Sequence, residues 1–67
     1  MVEPMEREII KRLPKSNEDI GNALGFSPLS IKGRIHRILN KLGVCNRTQA
    51  IVVALSSGII KLEEVQI

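Results

Sequence analysis

Apolar residues recur at helical spacing in four short stretches of this chain, each bounded by residues that start or stop a helix. Met5, Ile9, Ile10 and Leu13 form an i, i+4, i+5, i+8 stripe, which predicts a first helix from about Glu3 to Leu13. Pro4 suits its first turn, and Pro14 stops it. Glu6 and Glu8 lie toward the positive end of its dipole, Lys11 and Arg12 toward the negative end. A second helix is expected over Asn17 to Leu24, with Ser16 as N-cap and Asp19 three residues later, an apolar edge of Ile20, Ala23 and Leu24, and Gly25 as its stop. Gly21 inside it costs ~1 kcal/mol of helix propensity, which predicts close packing against another helix. The third helix has the clearest start: Ser27 caps, Pro28 takes the first position, and Phe26 can staple onto Ile31. It should run through Leu42 until Gly43. The fourth opens at Asn46 with Gln49 three residues on, continues through Ser56 or Ser57, and closes at Gly58. Residues 59–67 are a mixed tail without a clear element.

No stretch alternates as a strand would. The connection between the second and third helices, Gly25-Phe26-Ser27, has the spacing of a helix-turn-helix. The expected fold is therefore all-α: a four-helix helix-turn-helix bundle with a three-helix core and an added fourth helix. At 67 residues the chain, taken as one domain over 1–67, can bury only about 60% of its unfolded surface. Phe26 is the sole aromatic residue, so the core must be aliphatic. The same scarcity argues against reading single strands or RNA by base stacking.

Around the third helix, at about 100° per residue, Ile31, Ile35, Ile38, Leu39 and Leu42 fall on one side and should face the core. Leu29, Gly33, His36, Arg37 and Asn40 point the opposite way, with Ser30 beside them. Lys32 lies on one flank of this ridge, and Arg34 and Lys41 on the other. Charge now changes the picture. Net charge is +3, but from Ile20 to Leu62 the chain carries six cations and no carboxylate. Residues 1–19 hold four bases and five acids, and the last five residues hold two acids. A solvated helix face usually mixes signs, whereas this one has no acid within reach along the sequence, so a polyanion is the natural counterpart. A polar ridge flanked by cations suits the major groove of duplex DNA, with base edges at the crest and phosphates on the walls. Gly33 either permits close approach to DNA or is a tolerated accident, and His36 can equally be an exposed polar filler.

The fourth helix is apolar on every side from Ala50 to Leu55, more than one core-facing stripe requires. Ile51, Val52 and Leu55 are candidates for a homodimer contact, unless the tail residues Ile59, Ile60, Leu62 and Val65 fold back over that face. Cys45 is the single cysteine, so no internal disulfide is possible, and it is expected to be a small semi-buried hydrophobe beside Val44. With no apolar run long enough to span a bilayer and no signal peptide, a soluble cytoplasmic protein is expected.

The segments Glu-Arg-Glu-Ile-Ile (6–10), Ser-Asn-Glu-Asp-Ile-Gly-Asn-Ala-Leu (16–24), Ser-Pro-Leu-Ser-Ile-Lys (27–32) and Lys-Leu-Gly-Val-Cys-Asn-Arg-Thr-Gln-Ala (41–50) resemble the LuxR/NarL, or GerE-type, helix-turn-helix family of bacterial transcription regulators. The last segment is the most specific, and the similarity covers about residues 3–60. The resemblance implies a tetrahelical DNA-binding domain whose third helix enters the major groove and whose fourth mediates dimerisation. It implies DNA contacts at Lys32, Gly33 and His36, with Arg34 and Arg37 nearby, and places Asn17, Arg47 and Thr48 near the phosphate backbone. Ser30 and Lys41 complete the candidate DNA-binding set on the third helix. The chain departs from the family pattern where Glu3 stands for a Thr or Ser cap, where Gly33 replaces a side chain often used for groove contact, and where Arg34 replaces a common His. Such regulators usually carry an N-terminal sensory domain. None lies within these residues, so the chain reads either as a stand-alone regulator or as the output part of a longer one.

The expected function is sequence-specific binding of double-stranded DNA as a homodimeric transcription regulator. The alternative is a protein-interaction module docking on RNA polymerase or another regulator without specific readout. A sigma-factor region-four-like domain shares the helical arrangement, but the Asn46-Arg47-Thr48-Gln49-Ala50 signature speaks against it. With one His, one Cys and one Asp, no phosphate loop and no metal-ligand spacing, no enzyme, cofactor or metal site is expected.

Overall fold

The computed structural model describes residues 2–67. It contains four helices, α1 (Pro4–Lys11), α2 (Asn17–Leu24), α3 (Pro28–Leu42) and α4 (Arg47–Ser56), followed by a single 3-10 turn at Leu62–Glu64. There are no strands among the described residues. α2 packs most extensively on α3, while α1 and α4 each pack on α3 and on one another.

Three helix starts are set by short polar side chains closing on free N–H groups. Ser16 Oγ accepts from the N–H of Asp19 at 3.1 Å, Ser27 Oγ from Ser30 at 3.2 Å, and Asn46 Oδ1 from Gln49 at 2.9 Å. α1 starts differently: the Glu6 carboxylate accepts from the N–H of Glu3 at 2.9 Å, so the cap is supplied from inside the helix. α1 also ends at Lys11, short of the expected Leu13, because the residue before Pro14 is steered away from helical backbone.

The core is aliphatic: Ile9, Ile10 and Leu13 from the α1 region, Ile20 from α2, Ile31, Ile35 and Ile38 from α3, Ala50 and Ala54 from α4, and Ile60 from the tail. Leu39 and Leu42 are half-buried against it. Met5, expected in the α1 stripe, instead stands at the surface. Cys45 is exposed rather than semi-buried: Val44 takes the inward position, and Cys45 presents its N–H to Gln49 Oε1 at 3.0 Å. Gly21 makes its close approach to the turn after its own helix rather than to a neighbouring helix. A Cβ there would collide with the carbonyl of Phe26, whose N–H donates to the Gly21 carbonyl at 2.9 Å. Gly25, at φ 83°, supplies the left-handed residue that lets the chain turn so tightly.

The tail folds back against α1, after bonding to the end of α4 through the N–H groups of Ile59 and Ile60, both donated to the Ala54 carbonyl. Gln66 N–H donates to the Lys11 carbonyl at 2.8 Å, and Glu64 pairs with Arg7 at 3.3 Å and Lys11 at 3.4 Å. Ile60 is buried and Val65 packs on the core, whereas Leu62 is exposed.

Glu8 pairs with Lys11 and Arg12, each at 3.0 Å, and their hydrogen bonds hold its carboxyl below the usual glutamate range against a smaller opposing effect of burial. A carboxylate depressed in the folded state contributes stability above its unfolded pKa and loses it as pH falls through the folded one. Glu8→Gln is therefore expected to cost a few tenths of a kcal/mol at pH 7, the scale of a solvent-screened pair. It should also make the fall in Tm below about pH 4.3 shallower, as read by thermal melts across pH.

Candidate nucleic-acid interface

The turn at Gly25-Phe26-Ser27 sets α3 across α2 with its core face held by Ile31, Ile35 and Ile38, so the opposite ridge is presented outward. Lys32, Gly33, His36, Arg37 and Asn40 are exposed, and Leu29 at the crest is 78% exposed. Nothing lies within 4 Å of a Cβ built on Gly33, so the ridge has a notch one turn beyond Leu29. Ser30 is half-buried, with its N–H donated to the Ser27 cap.

The four cations of α3 divide into two kinds. Lys32 and Arg37 are exposed. Arg34 and Lys41 are held by the protein itself. The Arg34 guanidinium lies over the Phe26 ring, 4.1 Å from its centroid, and is half-buried there with an unpartnered Nε. Lys41 Nζ pairs with Glu6 at 2.9 Å. Burial raises the Glu6 pKa, but the Glu3 N–H and Lys41 outweigh it and leave the carboxyl below its ordinary range. The acid-free stretch is thus neutralised in part by α1, which the run of residues 20–62 could not reveal.

Asn17 and Arg47 meet. Arg47 Nη1 donates to Asn17 Oδ1 at 2.6 Å, Nη2 to the carbonyls of Lys15 at 2.5 Å and Leu13 at 2.9 Å, and Nε to Leu13 again at 3.2 Å. Four of its five N–H groups are therefore taken up within the chain, bracketing the α1–α2 loop to the start of α4. Asn17 and Arg47 also line a shallow groove of about 550 Å³ with Leu29, Lys32, Gly33 and His36.

Thr48 lies elsewhere. It borders a second depression of about 370 Å³ with Gly43, Val44, Gln49, Val52 and Val53. Of the three dimer candidates, Val52 is 57% exposed, while Ile51 and Leu55 pack partly against the core. Leu29 was missing from the sequence-derived site. Its outward position was legible from helical spacing, but the empty step beside it at Gly33 needed the fold. Among the described residues, no cluster of His, Cys, Asp and Glu is arranged to hold a metal ion, and no helix is long and apolar enough to cross a membrane.

Comparison with known proteins agrees with this architecture. Residues 4–54 match the family described as bacterial regulatory proteins, luxR family. The chain is 38% identical over 58 residues to the uncharacterized transcriptional regulatory protein YxjL of Bacillus subtilis (strain 168), a match covering 84% of this chain and 27% of that protein. It is 37% identical over 59 residues to the transcriptional regulatory protein ComA of the same organism, covering 85% of this chain and 28% of that protein. It is 40% identical over 47 residues to the transcriptional regulatory protein DegU of Brevibacillus brevis, covering 70% and 20% respectively. The chain therefore spans about a quarter of the length of the first two relatives. No solved structure matches it. With a helix-turn-helix in place and 51 of its residues within the match, the chain belongs to the luxR family of bacterial regulatory proteins, which are DNA-binding transcription regulators and not enzymes.

Proposed function

We propose that this chain binds duplex DNA sequence-specifically, with α3 in the major groove, and does so as a homodimer through α4. The observation that carries the reading is the α3 ridge: Lys32, Gly33, His36 and Arg37 stand exposed together, with no carboxylate anywhere between Ile20 and Leu62. A convex helix edge with cations at its sides meets the groove's base edges and phosphate walls at once.

The homodimer rests on Val52. An exposed valine beside the Val44–Val53 depression is an apolar contact without a cover in the monomer. Ile51 and Leu55 act from beneath, fixing α4 on the core. Pairing two such helices doubles the phosphate contacts and ties half-site spacing to protein symmetry.

Selection of bound duplexes from a random library tests both parts. The expected result is a consensus of two half-sites occupied by two protomers. Val52→Asp should keep the fold, because the side chain faces solvent, and reduce occupancy to one protomer with at least tenfold weaker binding. Absence of any consensus would remove specific readout. A Val52→Asp protein that still binds as a pair with unchanged affinity would remove the α4 contact.

A further inference from the structure

The α3 crest holds one feature that charge does not explain. Leu29 is 78% exposed at the N-terminal end of the ridge, next to the open space at Gly33. Gly33 follows one turn later and His36 one turn after that, so the three lie along a single stripe. No atom would meet a Cβ at Gly33, and the groove beside it is lined by Leu29, Ile35 and Leu39 together with the polar Asn17, Lys32, His36 and Arg47. The result is an open step beside an exposed leucine, within a cationic ridge.

We infer that Leu29, with the notch at Gly33, reads the C5-methyl group of thymine in the major groove. The inference rests on the DNA-binding reading above and deepens it by naming the base. Thymine is the base that presents a methyl group in that groove, and apolar side chains recognise it by contact. Lys32 beside the notch and Arg37 on the same helix are exposed cations, which is the charge complement a duplex requires and an apolar protein ligand does not. Lacking a Cβ, Gly33 lets the base edge come close enough for Leu29 to cover the methyl. A larger residue there would hold the helix away.

Deoxyuridine supplies the test, because it pairs as thymine does and lacks only the methyl. Each thymine of a duplex selected by the full chain is replaced in turn by deoxyuridine, and affinity is read by fluorescence anisotropy. Burial of one methyl corresponds to about fourfold in affinity, or about 0.8 kcal/mol. One or two thymines per half-site should therefore show losses of about fourfold with the native protein. With Leu29→Ala, whose exposed site leaves folding intact by circular dichroism, those same replacements should become neutral. Uniform tolerance of deoxyuridine by the native protein, alongside tight binding of the thymine duplex, would overturn this inference and leave the DNA-binding reading standing. So would a Leu29→Ala protein as methyl-sensitive as the native one. Failure to bind any duplex would overturn both.

Discussion

Gly21→Ala is expected to destabilise the domain by about 3 kcal/mol, the upper part of the range for forcing an extra carbon into a packed site. The added methyl would collide with the backbone carbonyl of Phe26, which belongs to the turn and cannot swing away as a side-chain tip could. Relief requires opening Gly25-Phe26-Ser27, the connection that sets α3 across α2. That turn is closed by the N–H groups of Gly25 and Phe26, both donating to the Gly21 carbonyl at 2.8 and 2.9 Å. Affinity for duplex DNA should therefore fall together with stability. Gly33→Ala provides the internal control. Its Cβ meets nothing, so the same substitution should raise stability by about 0.5–1 kcal/mol through helix propensity alone. Urea denaturation of the two variants reads the opposite signs directly. A Gly21→Ala protein as stable as the native one would mean that the turn does not approach its helix as described.

Arg47→Ala carries the second large effect, a loss of about 2–3 kcal/mol. Its guanidinium satisfies the carbonyls of Leu13 and Lys15 and the side-chain oxygen of Asn17 in one planar fork. Removing it leaves those half-buried acceptors without their donor, at about 1 kcal/mol or more for each that water cannot reach. A domain of this size has only about 3–10 kcal/mol in total, so the change is large. Arg47→Lys should recover only part, since an ammonium cannot span three acceptors in a plane. The salt dependence of DNA binding separates this bracket from a phosphate contact. A residue that neutralises a phosphate contributes about 0.9 to the slope of log K against log salt, and a bracket contributes none. Arg47→Ala is expected to lower Tm while leaving that slope unchanged in the folded protein.

The limits of what the sequence disclosed follow the reach of each interaction. The bounds of α2, α3 and α4 were legible because Ser16, Ser27 and Asn46 each act on an N–H three residues away. The core face of α3 was legible because helical spacing alone places Ile31, Ile35 and Ile38. Contacts between distant residues were not. Arg47 meets Leu13 across 34 positions, and Lys41 meets Glu6 across 35, so neither pairing leaves a local mark. The charge run along residues 20–62 consequently hides that two cations of α3 are held within the protein, Lys41 by Glu6 and Arg34 by the Phe26 ring. The burial of Ile60 and the exposure of Cys45 likewise depend on how the tail and the Val44 side chain dock, which their neighbours do not encode.

Lys32 and Arg37 are exposed cations on the outward side of α3, and they bear most directly on whether its ridge meets a polynucleotide. Anisotropy titrations of a duplex at several salt concentrations, with the native protein and with Lys32→Ala/Arg37→Ala, decide the matter. The expected result is a steep linear decline of log K with log salt for the native chain, reduced by about 1.8 per protomer in the double variant. Equal slopes for the two proteins, or binding indifferent to salt, would contradict a DNA-facing α3.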